Sequence, residues 1–359
     1  LWWIYKNIYP FGTGTWPDFP GLGQDREGIY ITFNRFTTPP YTFVHAVTLL
    51  FRKTHVYAGS ATSYWYQFGF DVGGTMIDTL QPANVQSDAD NPRAEFMVNS
   101  YNIKFGGGQC FSGCNGLVVW AISNPFGFQA AGPAPRFSSV LVPTPSTYYL
   151  SLGAHQPSCN YCIDSGDTRI HGSVTYQSGS LWASVTSAVL RTTPENNGVF
   201  TWEISKIALN DNDPACTGTY LNKCPQITGA SVVQQIGLGT AGWADVGGCA
   251  YYGTVLPTPE KDLGMVYNYS SKTRTPGTAY TLRRVNFTQG AWHDSGYCLV
   301  GSCGLANSSH SRYGDYTGAA LDNPMTTTVY LWFSGMYTGA TGTWRTRIGR
   351  TAYTNVNQP

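Results

Sequence analysis

The stretch DSGDTRIHG, Asp164–Gly172, sets Asp167, Arg169 and His171 at alternating positions. Alternate residues of a strand project to one face, so the spacing predicts a carboxylate, a guanidinium and an imidazole aimed the same way. Such a trio can hold a polar ligand or, with a second carboxylate, break a glycosidic bond. It can also be architectural. An Asp two residues before an Arg closes a turn and fixes the entry of the next strand, and this role is expected here. Arg312 and Asp315 in RYGDYTG pose the same choice between a structural ion pair and a ligand contact. Other carboxylates available for glycoside hydrolysis are Asp18, Asp25, Asp245 and Asp322, and no one pair stands out.

Other chemistries have weaker support. The histidines at 45, 55, 155, 171, 293 and 310 lack the i,i+4 or HxH spacing of a metal site. The loops SDADNP (Ser87–Pro92) and NDNDP (Asn210–Pro214) are rich in oxygen ligands, which makes Asp211 and Asp213 weak calcium candidates. Neither loop follows the EF-hand pattern, so solvated turns are expected and no cofactor beyond a calcium ion comes into question. There is no G-x-S-x-G elbow or P-loop, and GLGTAG has no helix to open.

Eight of the nine cysteines form close pairs in Gly-, Ser- and Asn-rich stretches: Cys110 with Cys114, Cys159 with Cys162, Cys216 with Cys224, and Cys298 with Cys303. CNYC alone resembles a redox or zinc half-site, but no second such motif accompanies it, so disulfides within loops are expected. Cys249 is left as a buried thiol or half of a longer bridge. Sequons at Asn268, Asn286 and Asn307 are candidate glycosylation sites. With only 11% charged residues and a net charge of +1, the chain has no clustered basic field for nucleic acid or an anionic membrane. No apolar run reaches the roughly 18 residues of a spanning helix. These features together predict a secreted, extracellular protein.

The elements that position these residues read as strands throughout. Period-2 alternation and β-branched or aromatic runs recur, Gly, Pro, Asn and Asp punctuate at short intervals, and long capped helical stripes are missing. RYGDYTGAALDN followed by TTTVYLWFSGMY joins a turn, a small-residue strand, a second turn and an aromatic strand. The same plan recurs near Asp18, Leu80, Arg169 and Asp245, so with Asp315 there are five anchors at intervals of roughly 60 to 90 residues. Between them lie further strands, including VHAVTLLFRKT, GLVVWAIS, VFTWEIS and TAYTLRRVNF. Units of about four strands with a small-residue inner strand are what a propeller blade needs. A β-sandwich would not repeat one motif at this spacing.

RYGDYTGAALDN…YLWFSGMY…TWRTRIGR resembles the closing blade of a family of secreted bacterial β-propeller proteins of sialidase-like architecture. WPDFPGLGQDREGIYITFNRF and GDTRIHGSVTYQSGSLWASV are similar to that family's internal blades, and LGMVYNYSS…YTLRR to its penultimate one. The resemblance implies a single propeller domain over residues 1–359, with about six blades or as many as seven. It also places LWWIYKN, with Trp2, Trp3 and Ile4, in an outer strand of a first blade incomplete at the N-terminus. That start lacks a Met, a basic region and a cleavage site and does not read as a signal peptide. Pairing of LWWIYKN with TWRTRIGRTAY would cover two apolar edges. Sialidase chemistry would need an arginine cluster, a Tyr/Glu nucleophile pair and an acid, usually with S-x-D-x-G-x-T-W turns, and the chain has no such turn.

The function expected is a non-enzymatic binding or assembly module for protein or glycan at the cell surface, with copies of itself among its candidate partners. The alternative is a glycan-active hydrolase or lyase using Asp167, Arg169 and Asp315. A cleft that gathers at least two carboxylates and an Arg would favour the alternative.

Overall fold

The computed structural model describes residues 9–60, 64–87, 90, 92–103, 110, 112–127, 134–190, 196–211, 225–239, 247–284, 293–297, 311–322, 329–338 and 343–352. The chain is all-β. The first unit contains β1 (Thr15–Gln24), β2 (Gly28–Thr37), β3 (Phe43–Arg52) and β4 (Trp65–Phe68), with the one-turn helix α1 (Lys53–Tyr57) before β4. A small ribbon, β5 (Asp71–Val72) and β6 (Thr75–Met76), leads to the second unit: β7 (Gln81–Val85), β8 (Glu95–Tyr101), β9 (Cys114–Ser123) and β10 (Arg136–Tyr148). The hairpin β11 (Ala154–Gln156) and β12 (Cys159–Asp164) precedes the third unit: β13 (Val174–Gln177), β14 (Ser180–Leu190), β15 (Asn196–Asn210) and β16 (Gln226–Leu238). The fourth has β17 (Cys249–Pro257), β18 (Leu263–Ser270), β19 (Gly277–Arg283) and β20 (His293–Tyr297). After β21 (Ser311–Arg312), the fifth has β22 (Gly318–Asp322), β23 (Tyr330–Thr338) and β24 (Trp344–Ala352).

Within each unit, successive strands pair antiparallel. First strands of neighbouring units run parallel where they meet, β1 beside β7 and β7 beside β13. The arrangement is propeller-like. Apolar clusters lie between successive units. Tyr30, Leu50, Met97 and Trp120 join the first to the second, and Phe96, Val119, Val185 and Trp202 the second to the third. Leu256, Val266, Leu331 and Phe333 join the fourth to the fifth.

Hydroxyl groups latch the units together at their inner ends. Thr32 Oγ1 donates to the Leu80 carbonyl at 2.6 Å, and Ser100 Oγ to that of Thr168 at 2.6 Å. Ser184 Oγ donates to the Gly253 carbonyl at 2.7 Å, and Thr254 Oγ1 to that of Thr317 at 2.8 Å. Each is buried, where an unmade bond would cost about 1–3 kcal/mol.

The small residues of the first strands have a physical purpose. A Cβ on Gly23 would come within 2.6 Å of the Ala83 carbonyl oxygen and of Pro82 Cβ, so β1 approaches β7 only because the side chain is missing. Gly23→Ala is therefore expected to destabilise by about 1–3 kcal/mol through overpacking. Denaturant titration would read this as a lower midpoint with an unchanged slope.

Several expectations change. The alternation of Asp167, Arg169 and His171 predicts an inner strand, but that strand begins at Val174 and all three sit in the irregular approach to it. Asn268 is not an exposed sequon: it is fully buried in β18, and its Nδ2 donates to the Gly314 carbonyl at 2.7 Å. Cys110 and Cys114 lie with Cα atoms 4.9 Å apart, within reach of the expected bridge. Cys159 and Cys162 stand instead as two thiols on the β11–β12 hairpin. Burial, then contact with Cys159, pushes the Cys162 thiol up to about 11. Cys249 is a buried thiol whose Sγ lies 3.5 Å from the Gly247 carbonyl. Asp211 is ion-paired with Arg93 through Oδ1.

Cys216, Cys224, Cys298, Cys303, Asn286, Asn307, Asp213, Asp245 and the LWWIYKN segment lie outside the described residues. On β24, Trp344 and Ile348 are each 68% exposed, and among the described residues that strand pairs only with β23. No described helix is long and apolar enough to cross a membrane.

Candidate functional site

The approaches to the first strands meet at one end of the molecule. Asp167 is the centre of the meeting. Its Oδ1 accepts the Arg169 backbone N–H at 2.8 Å, forming the Asx turn that steers the chain into β13. The Arg169 guanidinium chelates the same carboxylate, with Nε at 2.9 and 2.7 Å from the two oxygens and Nη2 donating as well. On its other face the guanidinium lies over the Phe19 ring, Cζ 4.2 Å from the centroid. Burial alone would raise the Asp167 carboxyl, but His171 and Arg169 outweigh it and hold the group well below the usual carboxylate range.

His171 packs between units. Its ring stacks on Tyr252 of the fourth unit at 4.0 Å and meets Phe19 of the first edge-on at 4.6 Å. Nδ1 donates to the Asp315 carbonyl at 2.9 Å. Nε2 stands 3.1 Å from Asp167 Oδ2 without hydrogen-bond alignment. Tyr316 completes the ring of aromatics, 5.8 Å from Phe19. Burial, then Asp315 and Asp18, push its phenol up to about 12. Arg312 and Asp315 form an exposed ion pair at 2.6 Å.

Sequence reasoning missed Asp78, which belongs to this cluster. Burial raises its carboxyl; Arg169 pulls the other way and Asp167 adds to the rise. The next residue, Thr79, is clamped to the first unit: its N–H donates to Asn34 Oδ1 at 2.8 Å, and Asn34 Nδ2 donates to its hydroxyl at 2.7 Å. The missed signal lay in the repeat. Asp78, Asp167 and Asp315 occupy the stretch that enters a unit's first strand, and Asp18 lies in the first half of β1. Of the residues that the sequence singles out, Asp18, Asp167, Arg169 and Asp315 come together. Asp25 and Asp322 do not: Asp25 caps the β1–β2 turn through Gly28 N–H at 2.6 Å, and Asp322 accepts the Trp332 indole N–H at 3.1 Å.

Below this cluster a cavity of about 510 Å³ runs between the first strands. Its polar lining is Gln24, Gln81, Asn84, Gln86, Ser173, His171, Tyr316 and Thr317, with Ala319 and Ala320 on the β22 side. Among the described residues lining it there is no carboxylate, lysine or arginine. Amides and hydroxyls of this kind both donate and accept.

No protein-family profile matches the chain, and no curated protein matches it by sequence. Among solved structures, it is similar to a protein of unknown function from Dyadobacter fermentans at 9% identity and a TM-score of 0.39, with 95% of this chain and 84% of that one covered. It is also similar to the alpha-L-arabinanase of Penicillium chrysogenum, solved with arabinobiose, at 9% identity and a TM-score of 0.40, with 95% of this chain and 94% of that one covered.

Proposed function

We propose that the chain is a non-catalytic binding module of the cell exterior that takes an uncharged glycan into the cavity between its first strands. It is read as one propeller domain of about six blades, acting outside the membrane without nucleic acid. The observation that carries the proposal is the lining: four amides, hydroxyls and an imidazole, with no charged side chain among its described residues. Glycoside hydrolysis needs two carboxyls flanking the scissile bond, whereas neutral bidentate groups suit sugar hydroxyls. A glycan array probed with the intact chain is expected to show binding to neutral glycans. Ala320→Trp, which fills the cavity from the exposed face of β22, is expected to abolish it. Equal retention by the filled variant would remove the cavity from the account.

The hydrolase reading has two observations in its favour: the mouth gathers Asp78 and Asp167 about Arg169, and the two carboxyls are set apart. Asp78 and Asp167 are neighbours whose environments push one carboxyl up and the other down, the division that separates an acid from a base. It requires release of reducing ends from a glycan, lost in both Asp78→Asn and Asp167→Asn while binding persists.

A further inference from the structure

An exposed group of aromatic rings gathers about Trp16 of β1, the strand that carries Asp18 and Phe19, and takes no part in the mouth cluster. Trp16, at the start of β1, pairs in register with Phe36 of β2 and stacks on it at 5.6 Å. Phe36 in turn meets Phe43 at 5.7 Å, which gives the Trp16 ring a buttressed back. Tyr41, in the β2–β3 connection, stands edge-on to Trp16 at 6.3 Å and 88°. Trp16 is 36% exposed and Tyr41 61%, so together they make an open corner with an indole floor and a phenol wall.

The corner is preorganised. Tyr41 holds a left-handed backbone conformation, φ 60°, which a side chain of this size rarely adopts. The connection is closed by Thr37 N–H to the Thr42 carbonyl at 2.9 Å and Thr42 N–H to Thr37 Oγ1 at 3.0 Å. Strain of this kind at an exposed aromatic is a feature of ligand sites.

We propose that Trp16 and Tyr41 form an outer subsite that stacks one sugar ring of an uncharged oligosaccharide whose far end lies in the cavity. This rests on the binding reading above. Rigid aromatic faces suit the C–H face of a sugar at low entropic cost. Continuity of the strand argues for the same occupant in both places. Trp16 and Gly21 of the cavity lining lie on β1, roughly 15 Å apart at the rise of a strand. That span fits a short oligosaccharide rather than a single sugar.

The test is titration calorimetry on the intact chain with cellohexaose, laminarihexaose, xylohexaose and maltohexaose, and with the matching disaccharides. Trp16→Ala and Tyr41→Ala should each weaken binding of the favoured hexasaccharide about tenfold, roughly what one stacked ring supplies. Binding of its disaccharide should not change, and Tyr41→Phe should behave as wild type. Melting curves establish that each variant is folded, and the exposed Tyr41 serves if Trp16→Ala does not fold. Unchanged hexasaccharide affinity in a folded Tyr41→Ala variant overturns the subsite, and the cavity reading then stands if Ala320→Trp abolishes binding. Ring-dependent binding that survives Ala320→Trp overturns the cavity reading and leaves Trp16 and Tyr41 as a sugar-stacking corner without the link to the cavity. Failure of every one of these sugars to bind overturns both.

Discussion

Asp167→Asn is expected to lower the melting temperature at neutral pH and to leave the protein nearly as stable as wild type in strong acid. Asp167 is largely buried, its side chain 15% exposed, and holds the Arg169 guanidinium and the turn N–H together. Removing one partner of a buried pair costs about 3–5 kcal/mol. Arg169 is 31% exposed and retains some hydration, so about 2–3 kcal/mol is expected here. The sign in pH follows from a carboxyl held below its ordinary value. Its contribution is complete above the unfolded pKa of about 3.9 and is lost as pH falls through the lower folded value. Melting curves from pH 7 to pH 2 should show the two proteins converging at the acid end. An unchanged melting temperature accompanied by loss of a glycosidase activity would instead make Asp167 a catalytic group.

Glu95→Gln is expected to act in the opposite direction and to grow with pH. Glu95 is fully buried in β8, with one carboxylate oxygen accepting the Ala83 N–H at 3.1 Å and the other without a partner among the described residues. Burial, then Asp25, pushes its carboxyl well above the ordinary value. A group raised in the folded state stabilises fully below its unfolded pKa of about 4.3. Above that, each pH unit removes about 1.4 kcal/mol until the folded carboxyl ionises. The amide keeps the shape and an acceptor for Ala83 but does not titrate. Glu95→Gln should therefore match wild type near pH 4 and exceed it at pH 8 in guanidinium unfolding. Parallel pH profiles for the two would show that the carboxyl does not titrate in this window.

The all-β character and the repeated unit were legible because they are local. Strand alternation and Gly–Pro punctuation act within a few residues, and Asp18, Leu80, Arg169 and Asp315 each fall in or just ahead of a unit's first strand. The Asp167–Arg169 turn was legible for the same reason. The convergence of His171 with Tyr252, Phe19 and Tyr316 was not, because those rings come from four separate units. Strand alternation gave His171 a direction for the wrong reason, since its approach is irregular. Glu95 carried no signal either: its position in β8 alternates like any other, and only the packing of the second unit closes over it. Asn268 shows the converse failure, a sequon whose three-residue pattern says nothing about burial.

The hydroxyl latches at the inner ends carry a consequence for how such a molecule can diversify. Thr32, Ser100, Ser184 and Thr254 grip main-chain carbonyls of the neighbouring unit, those of Leu80, Thr168, Gly253 and Thr317. A carbonyl is present whatever side chain the residue carries, so the grip is blind to identity at the gripped position. Substitution at Leu80 or Thr168 therefore leaves the latch itself in place, whereas Asp167, just ahead of Thr168, holds its turn through its own side chain. The joints between units are in this way written in the main chain, and the turn that enters β13 in a side chain.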